Sequence, residues 1–176
     1  GTGRFDYVEP DFVRKLNVAP TDAYYTNGSL WALQNTGQNG GAPGADMGAT
    51  PAWDITTGST NVIIAVIDTG IRYTHQELAA QIWRNPGEIP GNGIDDDGDG
   101  YIDNLHGINA TVDPKGNPAA GNPFDDNGHG THVAGTIGAA ANDAHPHVGV
   151  AWNVRLMACK SLNSNGNGYV SDEVEC

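Results

Sequence analysis

Two residues stand in settings that suit acid–base chemistry. Asp68 follows the apolar run Val62-Ile63-Ile64-Ala65-Val66-Ile67 and precedes Thr69-Gly70, where a strand ends and the chain turns. A carboxylate there can accept a hydrogen bond from an imidazole and fix its tautomer and orientation. It can equally cap a turn through its own backbone, the commoner use of such aspartates. His129 lies in Asp125-Asp126-Asn127-Gly128-His129-Gly130-Thr131-His132, flanked by glycines that leave its ring accessible. An exposed histidine at a helix start suits a general base near neutral pH. The alternatives are a helix-capping histidine or, with His132, half of a metal site, for which no third ligand stands at a matching offset. His132, on a helix of small residues, is expected to be a buried, hydrogen-bonded structural histidine.

A third feature is acidic. In Asp95-Asp96-Asp97-Gly98-Asp99-Gly100-Tyr101-Ile102-Asp103, the residues Asp95, Asp97, Asp99 and Asp103 fall on the first, third, fifth and ninth positions of an EF-hand-like loop. Glycine takes the sixth, and Tyr101 offers a backbone carbonyl at the seventh. Position twelve is His106 rather than a bidentate glutamate, so the loop is not a complete EF-hand. A structural calcium ion held by Asp95, Asp97, Asp99, Tyr101 and Asp103 is the expectation, because carboxylates this close repel one another unless a cation lies between them. The alternative is a solvated acidic loop.

The totals narrow the partners. Eight Lys and Arg against 21 Asp and Glu give a formal net charge of −13, which repels phosphate backbones and anionic membranes. Nucleic acid is therefore not an expected partner, and no apolar run approaches a membrane span. A length of 176 residues allows one domain that buries a core without cross-links. Cys159 and Cys176 can pair, but two cysteines make no framework. The chain opens at Gly1 without methionine, as an internal fragment would.

Elements must position these groups. Phe5 to Val13 alternates and is broken by Pro10, as an edge strand would be. Asn17 to Gly44 reads as loop wrapping a surface, anchored by Trp31 and Leu33. Ala45 to Ile55 predicts a short helix around Ala49, Ala52 and Trp53, limited upstream by Pro51. Val62 to Ile67 is continuous and β-branched, as in a parallel strand buried on both faces. Its carboxyl end is where sites gather in open α/β sheets. Asn85 to Phe124 is too long for a bland connection and needs a source of order such as an ion. From His129 to Ala141 a helix is expected, packed closely through Gly135 and Gly138. Val154 to Lys160 is a second strand, and strand, helix and strand imply a right-handed parallel βαβ unit.

The segment Val62 to Leu78 with Asp68-Thr69-Gly70, and the segment His129-Gly130-Thr131-His132-Val133-Ala134-Gly135-Thr136, resemble the aspartate and histidine signatures of the subtilisin family, in that family's order. The order Asp, His, Ser is the known pattern of subtilisin. The resemblance implies an α/β fold, a mainly parallel sheet with helices on both faces, truncated here on its C-terminal side. It implies a secreted serine endopeptidase in which Asp68 orients and His129 is general base. Residues 1–18 would be the tail of an inhibitory propeptide, Tyr7-Val8-Glu9-Pro10-Asp11 being its visible end, and residues 19–176 the front of the peptidase domain. Leu162 to Tyr169 resembles the segment that pairs with an extended peptide, with Leu162, Gly166 and Gly168 as substrate contacts.

The departures carry equal weight. The family's serine in its Gly-Thr-Ser setting and its oxyanion-hole asparagine are absent, and Ser161, Ser164 and Ser171 are not in that setting. The 176 residues alone are expected to be inactive. Asn142 to His147 departs from the Gly/Asn-rich loop usual after the histidine helix, so a family calcium site using that loop and Glu77 is not expected. Two other readings stay open. One is an aspartic protease built on Asp68, which would need a second carboxylate from a dimer. The other is a non-catalytic calcium-binding remnant. The resemblance, with a calcium loop that suits millimolar extracellular calcium, implies an extracellular protein.

Overall fold

The computed structural model describes residues 18–176. The expected edge strand at 5–13 and propeptide tail at 1–18 lie essentially outside the described residues. In chain order the elements are helix α1 (Ala23–Thr26), helix α2 (Ala49–Trp53), strand β1 (Gly58–Asp68), strand β2 (Gly107–Asn109), helix α3 (His129–Gly138), strand β3 (Asn153–Lys160) and helix α4 (Val170–Glu175). The three strands form one parallel sheet in the order β1-β3-β2. Mixed helix and strand around a parallel sheet is the fold expected from the sequence.

Register matters most at the carboxyl end of β1. Ile63 faces Arg155 and the pairing runs without a break to Asp68 opposite Lys160. Successive side chains of a strand point to opposite faces, so Val66 and Asp68 are buried while Ile63 and Ile67 are 51% and 48% exposed. The expectation of a strand buried on both faces is corrected: among the described residues β1 pairs only with β3, and α3 covers only the Val66 face. That face builds the main core, in which Val66, Ile71, Leu78, Ala134, Val154 and Leu156 are packed together. Full burial of each large aliphatic there contributes roughly 1.5–3 kcal/mol.

Helix α3 begins at His129 as expected but ends at Gly138, three residues early. Its close approaches are at Gly130 and Gly138 rather than at Gly135. A Cβ at Gly138 would lie 2.5 Å from Val154 Cγ1, and one at Gly130 would collide with the Gly70 carbonyl; at Gly135 there is room.

The loop before β1 is anchored differently from the expectation. Leu33 is buried, but Trp31 is 52% exposed, and Tyr25 and Trp53 take the anchoring role with Ala49 and Val148. Tyr25 belongs to α1, which the loop-like composition hides. Helix α2 falls inside the predicted Ala45–Ile55 segment with Ala49 and Trp53 buried, though Ala52 is exposed. Trp53 Nε1 donates to the Val150 carbonyl, 2.8 Å away, tying α2 to the entry of β3. Strand β2 lies within the long Asn85–Phe124 segment. Its first residue, Gly107, has φ +118°, and a Cβ there would collide with the Ala158 carbonyl, so only glycine lets β2 approach β3. Cys159, near the end of β3, is disulfide-bonded to Cys176 beyond α4.

Candidate functional site

The sheet register brings Asp68 to its carboxyl edge, and α3 starts directly over it. His129 Nδ1 lies 2.8 Å from both Asp68 carboxylate oxygens. An ionised carboxylate only accepts, so Nδ1 carries the proton and Nε2 is left with a lone pair. Asp68 is buried, its side chain 11% exposed, whereas the His129 side chain is 67% exposed. One group is thus held inside and the other faces outward. Asp68 is fixed further by the Thr69 N–H, which donates to Oδ1 over 2.7 Å, and its carbonyl accepts from the N–H groups of Ser161 and Leu162. An acceptor behind an outward-facing imidazole can stabilise the imidazolium formed when Nε2 takes a proton.

Two residues not singled out from the sequence hold this arrangement. The Asp125 carboxylate accepts from Thr69 Oγ1, from the N–H groups of Asn127, Gly128 and Thr131, and from Thr131 Oγ1. Burial acts to raise its pKa, but those donors outweigh it, with Thr131 Oγ1 foremost, and hold it at about 2. Thr69 Oγ1 in turn accepts the Gly130 N–H at 2.9 Å, so Asp125, Thr69 and the first turn of α3 are one hydrogen-bonded unit. Lys160 Nζ, buried opposite Asp68, donates to the Thr69 carbonyl at 2.8 Å, to Asp126 Oδ1 at 2.6 Å and to the Leu162 carbonyl at 3.0 Å. The signal for Asp125 is its place four residues before His129; for Lys160 only the strand pairing reveals it.

Of the residues expected to contact a peptide, Leu162 is engaged by the protein itself. Its N–H donates to the Asp68 carbonyl and its carbonyl accepts from Lys160 Nζ. Gly166 sits exposed at φ +76° in a turn closed by its N–H to the Asn163 carbonyl. Gly168 lines a groove of about 820 Å³ between Ala110–Lys115 and the start of α4. Neither Asp68 nor His129 lines that groove.

The acidic loop is ordered by its own side chains. Asp95 accepts from the N–H groups of Gly98, Asp99 and Gly100. Among the described residues, the carboxylates of Asp95 and Asp97 gather with that of Glu88, the candidate ligand atoms all within 4.8 Å of one another. Asp99 and Asp103 are not in that group. Asp99 accepts from the Tyr101 N–H and from Asn104 Nδ2, and Asp103 accepts from the N–H groups of Gly91 and Gly93. The Tyr101 side chain points away to Glu175, its hydroxyl donating to Oε1 at 2.6 Å. Glu88 escapes a reading of the sequence because it stands seven residues before Asp95, outside any loop spacing. Buried at 6% exposure, it accepts from the N–H groups of Asp96, Asp97 and Asp103. Hard carboxylate oxygens converging in this way fit a calcium ion.

His132 is exposed on α3, which corrects the expectation of a buried structural histidine. Residues 129–138 turn their small side chains inward, and position 132 falls on the outer side of the helix. A second cluster, Glu77 with Asp143 and His145, has candidate ligand atoms within 4.8 Å of one another although that loop departs from the family pattern.

Comparison with known proteins follows the same residues. The chain is 34% identical over 167 residues to the thermophilic serine proteinase of Bacillus sp. (strain AK1), covering 95% of this chain and 32% of that protein. It is 41% identical over 114 residues to subtilisin-like protease 1 of Plasmodium falciparum, covering 64% of this chain and 16% of that one. It therefore spans a third or less of the length of these relatives. The crystal structure of a serine protease of Aeromonas sobria has the same fold, with a TM-score of 0.61 and 23% identity over 98% of this chain and 26% of that one. No helix among the described residues is long and apolar enough to cross a membrane. The Subtilase family matches residues 59–175. That stretch runs from the start of β1 to the end of α4 and takes in Asp68, His129 and the elements that hold them, so this chain belongs to the subtilase family.

Proposed function

We propose that the protein is a serine endopeptidase in which Asp68 orients and charge-stabilises His129, and His129 is the general base. The observation that carries this reading is the Nδ1 contact of 2.8 Å to a buried carboxylate, with Nε2 left outward. Nε2 would take the proton of a serine hydroxyl as its oxygen attacks the peptide carbonyl carbon, and would pass that proton to the leaving amine. Water then hydrolyses the acyl-enzyme. The serine in a Gly-Thr-Ser setting is not among these 176 residues, so they are inactive alone. An aspartic-protease use of Asp68 loses ground because its carboxylate is committed to an imidazole.

In this reading residues 1–18 end an inhibitory propeptide and residues 19–176 form the front of the peptidase domain. An extended peptide lies along Gly166–Gly168. Calcium at Glu88, Asp95 and Asp97 would neutralise their charge and brace the long connection that carries β2. Asp99 and Asp103 shape the loop around it. The acidic charge and the calcium loop fit an extracellular protein.

The test compares these 176 residues with the same chain extended by a C-terminal subtilase segment carrying Gly-Thr-Ser, on a fluorogenic peptide. Hydrolysis is expected only from the longer chain, with His129→Ala lowering kcat by about 10⁴-fold or more. Hydrolysis by the short chain, or an unchanged kcat in His129→Ala, would overturn the assignment. A longer chain that binds calcium but never hydrolyses peptide would establish the non-catalytic remnant instead.

A further inference from the structure

We propose that Asn167 is a site of spontaneous deamidation, selected by the fold from six Asn-Gly pairs. The pairs are Asn27-Gly28, Asn39-Gly40, Asn92-Gly93, Asn127-Gly128, Asn165-Gly166 and Asn167-Gly168. Glycine has no side chain to keep its nitrogen from the carboxamide before it, so each pair is reactive in an unfolded chain. The glycine nitrogen, having lost its proton to solvent, attacks the asparagine Cγ. A new C–N bond closes a succinimide ring, the bond from Cγ to Nδ2 breaks, and the side-chain nitrogen takes up a proton and leaves as ammonia. Water then adds to either ring carbonyl and opens the imide to aspartate or isoaspartate.

In the folded chain hydrogen bonds decide which pair reacts, because the attack needs the glycine nitrogen and the carboxamide both released. At Asn127 the Oδ1 accepts the His129 N–H, Nδ2 donates to the Ser164 carbonyl, and the Gly128 N–H donates to Asp125. Asn92 is tied in the same manner to the Ile94 N–H and Asp96, with the Gly93 N–H on Asp103. Asn27 Oδ1 accepts the Ser29 N–H, and the Gly28 N–H donates to the Tyr25 carbonyl. Asn39 and Gly40 belong to the 3₁₀ turn Gln38–Gly40, which is closed by i→i+3 bonds. The Gly166 N–H after Asn165 donates to the Asn163 carbonyl at 2.9 Å.

Asn167-Gly168 differs. Both residues are exposed, and among the described residues neither the Asn167 carboxamide nor the Gly168 N–H has a hydrogen-bond partner. The bond that holds this peptide plane is the one from the Asn163 N–H to the Asn167 carbonyl, 2.8 Å, on a solvent-exposed loop. Opening of such a loop costs far less than global unfolding. The product carboxylate would join Asp113, Asp172 and Glu175 along the groove that Asn167 lines. Under the protease reading that charge falls on the segment that takes the peptide, whereas the modification itself is independent of that reading.

The experiment incubates the folded 176-residue chain in mildly alkaline buffer. Samples are reduced, cut with trypsin and read by fragmentation mass spectrometry and by isoaspartyl methylation. The mass gain of amide-to-acid exchange is expected first at Asn167 in peptide 161–176, faster at higher pH, while Asn92 and Asn127 stay intact. In urea, all six pairs should be modified. Asn167→Gln, whose longer side chain disfavours the ring, should lose the isoaspartyl signal from that peptide, with circular dichroism confirming that it is folded. Modification at Asn165, Asn92 or Asn127 as fast as at Asn167 would overturn the proposal. So would an unmodified Asn167 in the folded chain after a time in which the urea-treated chain has reacted.

Discussion

Asp125 shows how much of a site rests on a buried residue beneath it. Its carboxylate collects donors from Thr69 and from Asn127 to Thr131, and so fixes both the turn after Asp68 and the start of α3. Its folded pKa of about 2 is below the ordinary 3.8, so it contributes stability that is full above the ordinary value and is lost as pH falls through about 2. Urea unfolding of Asp125→Ala and the parent chain should therefore differ near neutrality and converge toward pH 2; a gap independent of pH would mean that the carboxylate charge does not matter. Asp68 and His129 are legible because each sits in a distinctive local string, and local strings are what a sequence displays. Glu88 and Lys160 are not. The partners of Lys160 are set by chain crossings between distant segments, and those of Glu88 by a loop that folds back on itself with no regular spacing, so neither residue's neighbours mark it as special. His132 defeats the expectation for a related reason: composition says that a helix is tightly packed but not which side faces out.

Among the elements, α3 and the acidic loop carry the clearest tests. A Cβ added at Gly138 would stand only 2.5 Å from Val154 Cγ1, so a Gly138→Val change must push α3 off β3. A loss of roughly 1–3 kcal/mol is expected by chemical denaturation, the usual cost of overpacking; Gly135→Ala, where there is room, should cost far less. In the acidic loop, calcium at about a thousand times its Kd should stabilise the chain by about 4 kcal/mol. Asp97→Asn should remove most of that gain, read as the difference in Tm with calcium and with chelator. Strand β3 and the start of α3 follow from apolar pattern and from the histidine motif. Strand β2 does not, because three residues opening with glycine carry no period and owe their conformation to β3. Helix α1 escapes notice for a similar reason: at four residues, its order comes from burying Tyr25 against Trp53 rather than from propensity.

For the molecule as a whole, the outer face of β1 is the exposed apolar surface with the plainest consequence. Ile63 and Ile67 are each about half exposed on a strand that pairs on one side among the described residues. Unpaired, apolar strand edges promote association. The 176-residue chain should self-associate in sedimentation experiments, and Ile63→Lys with Ile67→Lys should shift it toward monomer; no shift would place the contact elsewhere. The strand order bears also on the timing of synthesis. β3 is the middle strand yet the last of the three in the chain, so among the described residues neither β1 nor β2 has a strand partner until residues 153–160 have left the ribosome. Asp68 and His129, 61 residues apart, are both made earlier, but the Lys160 ammonium and the Ser161 and Leu162 N–H groups that fasten the Asp68 turn arrive only with β3 and the residues just after it. A nascent chain thus carries Asp68 and His129 for some time before it has a place to put them.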